Sequence, residues 1–175
     1  EGFWVAGVPN INFDVVMFRK VGAQRKVNLS TYTKTHPVVF AALNSKRYGS
    51  RQAAQYARFE AALTIDSVAA IEGTFWGMFQ IGGFNWRLCK CESVDEFVMK
   101  MGRSEHDQLA LFAEFITARG LVKYLKAHNW AAFALRYNGP SYKQRGYDTK
   151  IASAYARFAR EQATASADTV AVSRN

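Results

Sequence analysis

Two cysteines in 175 residues are too few for a disulfide framework. Cys89 and Cys91 are separated by a single residue, a spacing that disfavours a strain-free bridge, so both are expected reduced in a chain made in the cytoplasm. The three histidines, His36, His106 and His128, are scattered without ligand spacing. A structural zinc site would need two ligands beyond the cysteine pair, so no metal is expected. No stretch approaches the roughly 18 apolar residues of a membrane span. The N-terminus opens on Glu1, and Gly, Pro and Asn break up its apolar residues, so it does not read as a signal peptide. No internal repeat, no helix with a continuous basic face and no nucleic-acid-reading motif is present, which argues against DNA or RNA as partner.

What is present is the composition of one globular domain: 49% hydrophobic, 21% charged and 14% aromatic residues. Lys and Arg number 23 against 14 Asp and Glu, a formal charge of +9. An anionic membrane surface, an anionic cell-wall polymer or nucleic acid would each be attracted, and charge alone does not choose among them.

Residues 3–48 mix Gly, Pro, Asn and Thr with β-branched and aromatic residues, and the best strand there is 11–18, buried on both faces at Val15-Val16-Met17. His36-Pro37 reads as a boundary. From Ser50 the period becomes helical. Ser50 caps a helix to about Ile65 with Ala54, Phe59, Ala62 and Leu63 near one stripe, and Asp66 opens a second that Gly73 stops. Ser93 and Ser104, each followed three residues later by an acidic residue, open two more; the second ends near Arg119 at Gly120. Residues 121–128 form another helix, Asn129 caps one from Trp130 to about Tyr137, and Asn138-Gly-Pro-Ser141 is a turn. Asp148 starts a last helix with Ile151, Tyr155 and Phe158 facing inward. After Glu161 periodicity is lost, so 1–162 is expected to be the domain and 163–175 a tail or linker. The expected fold is α+β and predominantly α-helical, with a small β element near the front.

Two segments carry more constraint than packing requires. In Glu72-Gly-Thr-Phe-Trp-Gly-Met-Phe-Gln-Ile-Gly-Gly-Phe-Asn-Trp86, glycines allow close backbone approach, while Gln80 and Asn85 are amides in apolar company. A groove floored by backbone and walled by rings with a few amides suits a sugar; a glycine-rich turn inside the core is the plain alternative. In Arg136-Tyr-Asn-Gly-Pro-Ser-Tyr142 a helix ends on Tyr137 and Asn138 and turns at once, which can project both into a cleft. Asn-Gly is also an ordinary helix stop.

Together these segments resemble the phage endolysin N-acetylmuramidase family of the lysozyme and lytic-transglycosylase superfamily. Trp76-Gly-Met-Phe-Gln-Ile-Gly-Gly-Phe-Asn85 resembles its Ser-Trp-Gly-x-Phe-Gln-Ile-Met-Gly-Phe-Asn stretch. Tyr137-Asn-Gly-Pro-Ser-Tyr142, then Tyr147-Asp-Thr-Lys150 and Ala154-Tyr-Ala-Arg-Phe158, resemble its C-terminal signature. The front is a weaker likeness. Gly7-Val-Pro-Asn-Ile-Asn-Phe-Asp14 has Asp14 where the family has Glu, and Val16 where it has His. Gly2-Phe3 resembles the end of a motif whose catalytic Glu lies six residues before the Phe, a position upstream of Glu1.

The resemblance implies a lysozyme-like fold, no cofactor, and cleavage of the β-1,4 glycan backbone of peptidoglycan between N-acetylmuramic acid and N-acetylglucosamine. Such chemistry needs a carboxylic acid held protonated near neutral pH. Glu1 and Asp14 are the candidate catalytic carboxylates, ahead of Glu72 beside the glycine-rich segment. Gln80, Tyr137, Asn138 and Tyr142 are expected to bind the sugar. The expected protein is a monomer made in the bacterial host cytoplasm that acts on the wall and does not insert stably into membrane. A catalytically silent peptidoglycan-binding module and a secreted antibacterial muramidase toxin are the competing readings.

Overall fold

The computed structural model describes residues 2–41 and 51–172, with side chains described as far as residue 164. The chain forms two compact units, Glu1–Ala118 and Arg119–Asn175.

The first unit is built around very short strands. β1 (Phe3–Val5) and β2 (Val8–Pro9) form one antiparallel pair. β3 (Ile11–Phe13), β4 (Thr74–Trp76) and β5 (Ile81–Gly82) form an antiparallel sheet in that order, with Ile11 opposite Trp76 and Phe13 opposite Thr74. Around it stand α1 (Val15–Gln24), α2 (Gln52–Leu63), α3 (Ser67–Glu72), α4 (Val94–Arg103) and α5 (Glu105–Ala118). The chain is thus α+β and predominantly helical, as the sequence leads one to expect.

A three-residue strand is unstable without support, and β3 has one edge with no strand against it. Side chains of α2 take the place of a neighbouring strand. The Gln52 amide accepts from the Ile11 N–H at 2.9 Å and donates to the Ile11 carbonyl at 3.0 Å. Gln55 Oε1 accepts from the Phe13 N–H at 3.0 Å, and the Tyr56 hydroxyl donates to the Pro9 carbonyl at 2.6 Å. Burial, reinforced by the nearby Glu60 charge, pushes the Tyr56 phenol up to about 12.

The expected strand over 11–18 is corrected here. It stops at Phe13, because the Asp14 carboxylate accepts the N–H groups of Val16 (2.8 Å) and Met17 (3.0 Å) and so caps α1. Val16 is 68% exposed rather than buried. Ser50 lies outside the described residues; Arg51 precedes α2, whose buried side chains are Gln55, Arg58, Phe59 and Ala62. The other helix starts follow the sequence. Asp66 caps α3 through the Ala69 N–H, Ser93 caps α4 through the Glu96 N–H, and Ser104 accepts from the Asp107 N–H. Gly73 and Gly120 stand at the expected stops.

The core of this unit gathers Ile11, Phe13, Phe18, Phe59, Trp76, Phe97 and Met101. Trp76 meets Phe59 edge-on at 5.2 Å and donates its indole N–H to the Ile71 carbonyl. Cys89 and Cys91 are free thiols buried in the same core, and burial pushes Cys89 up to about 12.

The second unit comprises α6 (Val122–Lys126), α7 (Trp130–Asn138), a 310 turn at Pro140–Tyr142 and α8 (Tyr147–Val172). Asn129 caps α7 through the Ala132 N–H as expected. At α8 the helix is longer than the sequence period, and one expectation fails. Helix continues to Val172, past the point where sequence periodicity fades. Tyr155 and Phe158, expected to face inward, are 47% and 53% exposed. The reason is length: 26 helical residues run about 39 Å, whereas the nine of α7 cover only about 13 Å. Among the described residues, no helix is long and apolar enough to cross a membrane.

Candidate active site

The glycine-rich segment forms the β4–β5 hairpin, whose tip is 77–80. Gly77 and Gln80 both have left-handed backbones, φ +68° and +51°. The turn closes twice on the Gly77 carbonyl, which accepts from the Gln80 backbone N–H at 3.1 Å and from its side-chain amide at 2.9 Å. Phe79 stacks on Phe112 of α5 at 4.1 Å, nearly parallel. Gln80 is left exposed at the tip, so the hairpin presents an amide on a rigid turn rather than burying it.

The rigidity comes from Gln108, fully buried in α5. Its Oε1 accepts from the Met78 N–H at 2.9 Å, while Nε2 donates to the carbonyls of Met101 (2.8 Å) and Gly2 (3.2 Å). One side chain therefore ties the hairpin tip, the end of α4 and the first described residue together. A Cβ on Gly77 would stand 2.6 Å from Gln108 Oε1, and one on Gly2 would stand 2.5 Å from it, so glycine at both places is what admits the amide. Sequence reading missed Gln108. Its signal was available: with Leu111, Phe112 and Phe115 it sits on the apolar stripe of α5 at helical spacing, where a polar residue needs buried partners.

At the other end of β4, Trp86 donates its indole N–H to Glu72 Oε1 at 2.9 Å, and the Arg87 guanidinium lies 3.9 Å above the Trp86 ring. The Asp14 N–H bonds to the Gly73 carbonyl at 3.0 Å, so Asp14 and Glu72 flank the same strand end. Gln80 returns beside Gly77, about four residues or 13 Å along the strand from Gly73. The sheet thus separates Asp14 from Gln80. Asp14 is half-buried, with Oδ1 engaged as the α1 cap. Glu1 lies outside the described residues.

Tyr137, Asn138 and Tyr142 belong to the second unit. Asn138 is exposed at the last position of α7, and the half-buried Tyr137 stacks on Phe133 at 5.5 Å, nearly parallel. Gly139, at φ +83°, turns the chain into the 310 segment that buries Tyr142. Tyr137 and Asn138 thus stand at a helix end, as the sequence leads one to expect. Among the described residues, no three His, Cys, Asp or Glu side chains are grouped to hold a metal.

Gln80 offers a separable test. Gln80→Gly suits the left-handed backbone, so the melting temperature should hold or rise slightly. Affinity for N-acetylglucosamine oligomers should fall roughly threefold to tenfold, the worth of one lost hydrogen bond. Unchanged affinity by calorimetry would remove Gln80 from the sugar-binding set.

No curated protein matches the sequence. Among solved structures, the fold resembles the Burkholderia AP3 phage endolysin, with a TM-score of 0.74 and 36% sequence identity over 91% of this chain. The chain spans 60% of the length of that endolysin. The sequence model of the N-acetylmuramidase family matches residues 1–159, which covers the hairpin, the helices around it and the Tyr137–Asn138 helix end alike. On this extent of agreement, with the lysozyme-like α+β fold beside it, the chain belongs to the N-acetylmuramidase family.

Proposed function

We propose that the chain is the muramidase module of an endolysin, a glycoside hydrolase that cleaves the β-1,4 bond between N-acetylmuramic acid and N-acetylglucosamine in peptidoglycan. The family match over residues 1–159 carries this reading. The module spans 1–162, and 163–175 trails from it. Charge supports the choice of polymer: residues 119–175 hold ten Lys and Arg against three Asp and Glu, a net +7 that favours an anionic wall. The protein acts as a monomer on the cell wall after synthesis in the host cytoplasm.

Glycoside hydrolysis divides its work between a proton donor to the leaving oxygen and a second carboxylate. Glu1 and Asp14 are assigned to this pair. Asp14 suits the second role, because the first turn of α1 holds its Oδ1 in one orientation, fit to stabilise positive charge at the sugar or to direct water. Gln80, Tyr137 and Asn138 bind the glycan, and Tyr142, buried in the 310 turn, reaches it only through its hydroxyl edge.

Digestion of purified peptidoglycan followed by mass spectrometry tests the assignment. Fragments ending in reducing N-acetylmuramic acid are expected. Anhydro ends would make the chain a lytic transglycosylase, and no release by folded, wall-bound protein would make it a silent binding module. Tyr137→Phe and Asn138→Ala should each lower release about tenfold, the effect of a transition-state contact worth about 1.4 kcal/mol, with melting temperatures near that of the parent. Parallel losses of stability and release would mean that the pair is structural.

A further inference from the structure

We propose that the second unit carries a further glycan-binding site at the start of α7, at the opposite end of that helix from Tyr137 and Asn138, in which a pyranose ring stacks on the aromatic cluster of His128, Trp130 and Tyr155. This inference rests on the peptidoglycan reading for its choice of polymer. A shallow, open depression of about 550 Å³, of the kind that can lie along a polysaccharide chain, is lined by residues 127–131 together with Asp148, Thr149 and Ala152. At its wall the His128 and Trp130 rings lie nearly parallel at 5.2 Å. The Tyr155 ring packs against both, at 4.5 Å and 5.1 Å. Tyr155 remains 47% exposed and His128 is exposed too, so the cluster offers ring surface to solvent instead of burying it.

His128, like Lys26, Gln80 and Lys90, takes a left-handed backbone. It ends α6: its N–H bonds to the Leu125 carbonyl at 3.0 Å, and the next N–H, of Asn129, bonds to the Tyr124 carbonyl at 2.8 Å. This is the position that helices usually give to glycine, and His128 occupies it at φ +52°.

Polar groups around the cleft match a sugar. Asn129 Oδ1 is taken by the Ala132 N–H, while its Nδ2 has no acceptor among the described residues. The Trp130 indole N–H likewise has none there. Asp148 Oδ1 receives the Thr149 N–H at 3.0 Å, which leaves Oδ2 as an acceptor. Donors and an acceptor beside ring faces complement the hydroxyl and acetamido groups around an apolar sugar face. Two other ligands fit less well. The rings touch one another rather than enclosing a space, so they form no cage for a cation. The only charged side chain in the lining is Asp148, which repels the phosphates of a nucleic acid.

The test is titration of the 15N-labelled chain with an N-acetylglucosamine hexamer, followed by amide shifts. Shifts are expected at 127–131 and 148–152. Trp130→Ala should move their titration midpoint to about tenfold higher hexamer concentration, as loss of a stacking anchor does. His128→Gly, which relieves the left-handed backbone, should keep or raise the melting temperature while weakening the same binding. Shifts confined to 77–85, or unchanged affinity in both variants, would overturn the proposal. The muramidase reading fails separately, in the digestion assay: hexamer binding at this cleft by a chain that releases nothing from peptidoglycan would leave the second site standing.

Discussion

Gln108→Leu should lower the unfolding free energy by about 2–4 kcal/mol, although the new side chain has nearly the same bulk. The substitution leaves the half-buried Met78 N–H and the buried Met101 carbonyl without a partner, and it removes one of two partners from the Gly2 carbonyl, which keeps the Asn10 N–H at 2.9 Å. Each orphaned group costs about 1–3 kcal/mol, because inside the core no water replaces the amide. Leucine recovers part of the loss by burying apolar surface, which sets the lower bound of the range. Urea unfolding should show a lower midpoint at an unchanged slope. Gln108→Glu keeps the shape but replaces the amide donor by a carboxylate facing two carbonyls, and it should be at least as damaging. Glu105→Ala is the contrast. Its carboxylate holds the Gly2 N–H from an exposed position, so its loss should cost only a few tenths of a kcal/mol. A drop below about 1 kcal/mol for Gln108→Leu would show that the amide does not hold the hairpin tip.

Gly83→Ala should be as severe by a different route. Its φ is not left-handed, so conformational strain plays no part; the obstacle is space. A Cβ at this position would lie 2.0 Å from the Ile71 carbonyl oxygen, 2.8 Å from its carbon and 3.0 Å from the Glu72 Cα. All three are backbone atoms at the end of α3, and none can swing aside as a flexible side chain would. The same Ile71 oxygen receives the Trp76 indole N–H, so moving it disturbs the largest fully buried side chain of the unit. Overpacking typically costs about 1–3 kcal/mol, and a clash with backbone atoms belongs at the upper end, about 3 kcal/mol. Thermal melting should show the loss, with tryptophan fluorescence reporting a changed environment at Trp76. Gly120→Ala is the informative comparison. Gly120 has φ +65°, and a methyl group there would meet nothing within 4 Å, so only the left-handed penalty of about 1 kcal/mol applies. Equal melting temperatures for Gly83→Ala and the parent would mean that the Gly83 backbone and the end of α3 pack less closely than described.

These two sites show how far the residues could be read in order. Helix starts were legible at Asp66, Ser93, Ser104 and Asn129, because a cap is a contact between residues two or three apart and needs no partner from elsewhere. Asp14 was misread for a related reason. Its neighbours Val15, Val16 and Met17 favour a strand, while its own carboxylate favours a helix start, and the cap prevailed. At α8 the limits were different. Alanine-rich sequence after Glu161 lacks an apolar period, yet alanine is the best helix former, and helix continues to Val172. Exposure of Tyr155 and Phe158 depends on how long the covering helix is, a property of α7 that their own spacing does not encode.

By itself the sequence determined the family, the helix-rich α+β class, the glycine-rich hairpin and the Tyr137–Asn138 helix end, since each is written in contiguous residues whose chemistry is local. Tertiary structure decided which amides are structural and which face solvent. Gln52, Gln55, Gln80 and Gln108 are the same residue type. Two of them serve as a missing strand for β3, one is exposed on a left-handed turn, and one is locked inside the core. The difference lies in what comes to meet each amide: backbone groups 7 to 106 residues away for Gln52, Gln55 and Gln108, at least one of them distant in each case, and only the local turn for Gln80. A hydrogen bond's energy depends on its burial and its partners, and only folding brings those partners together.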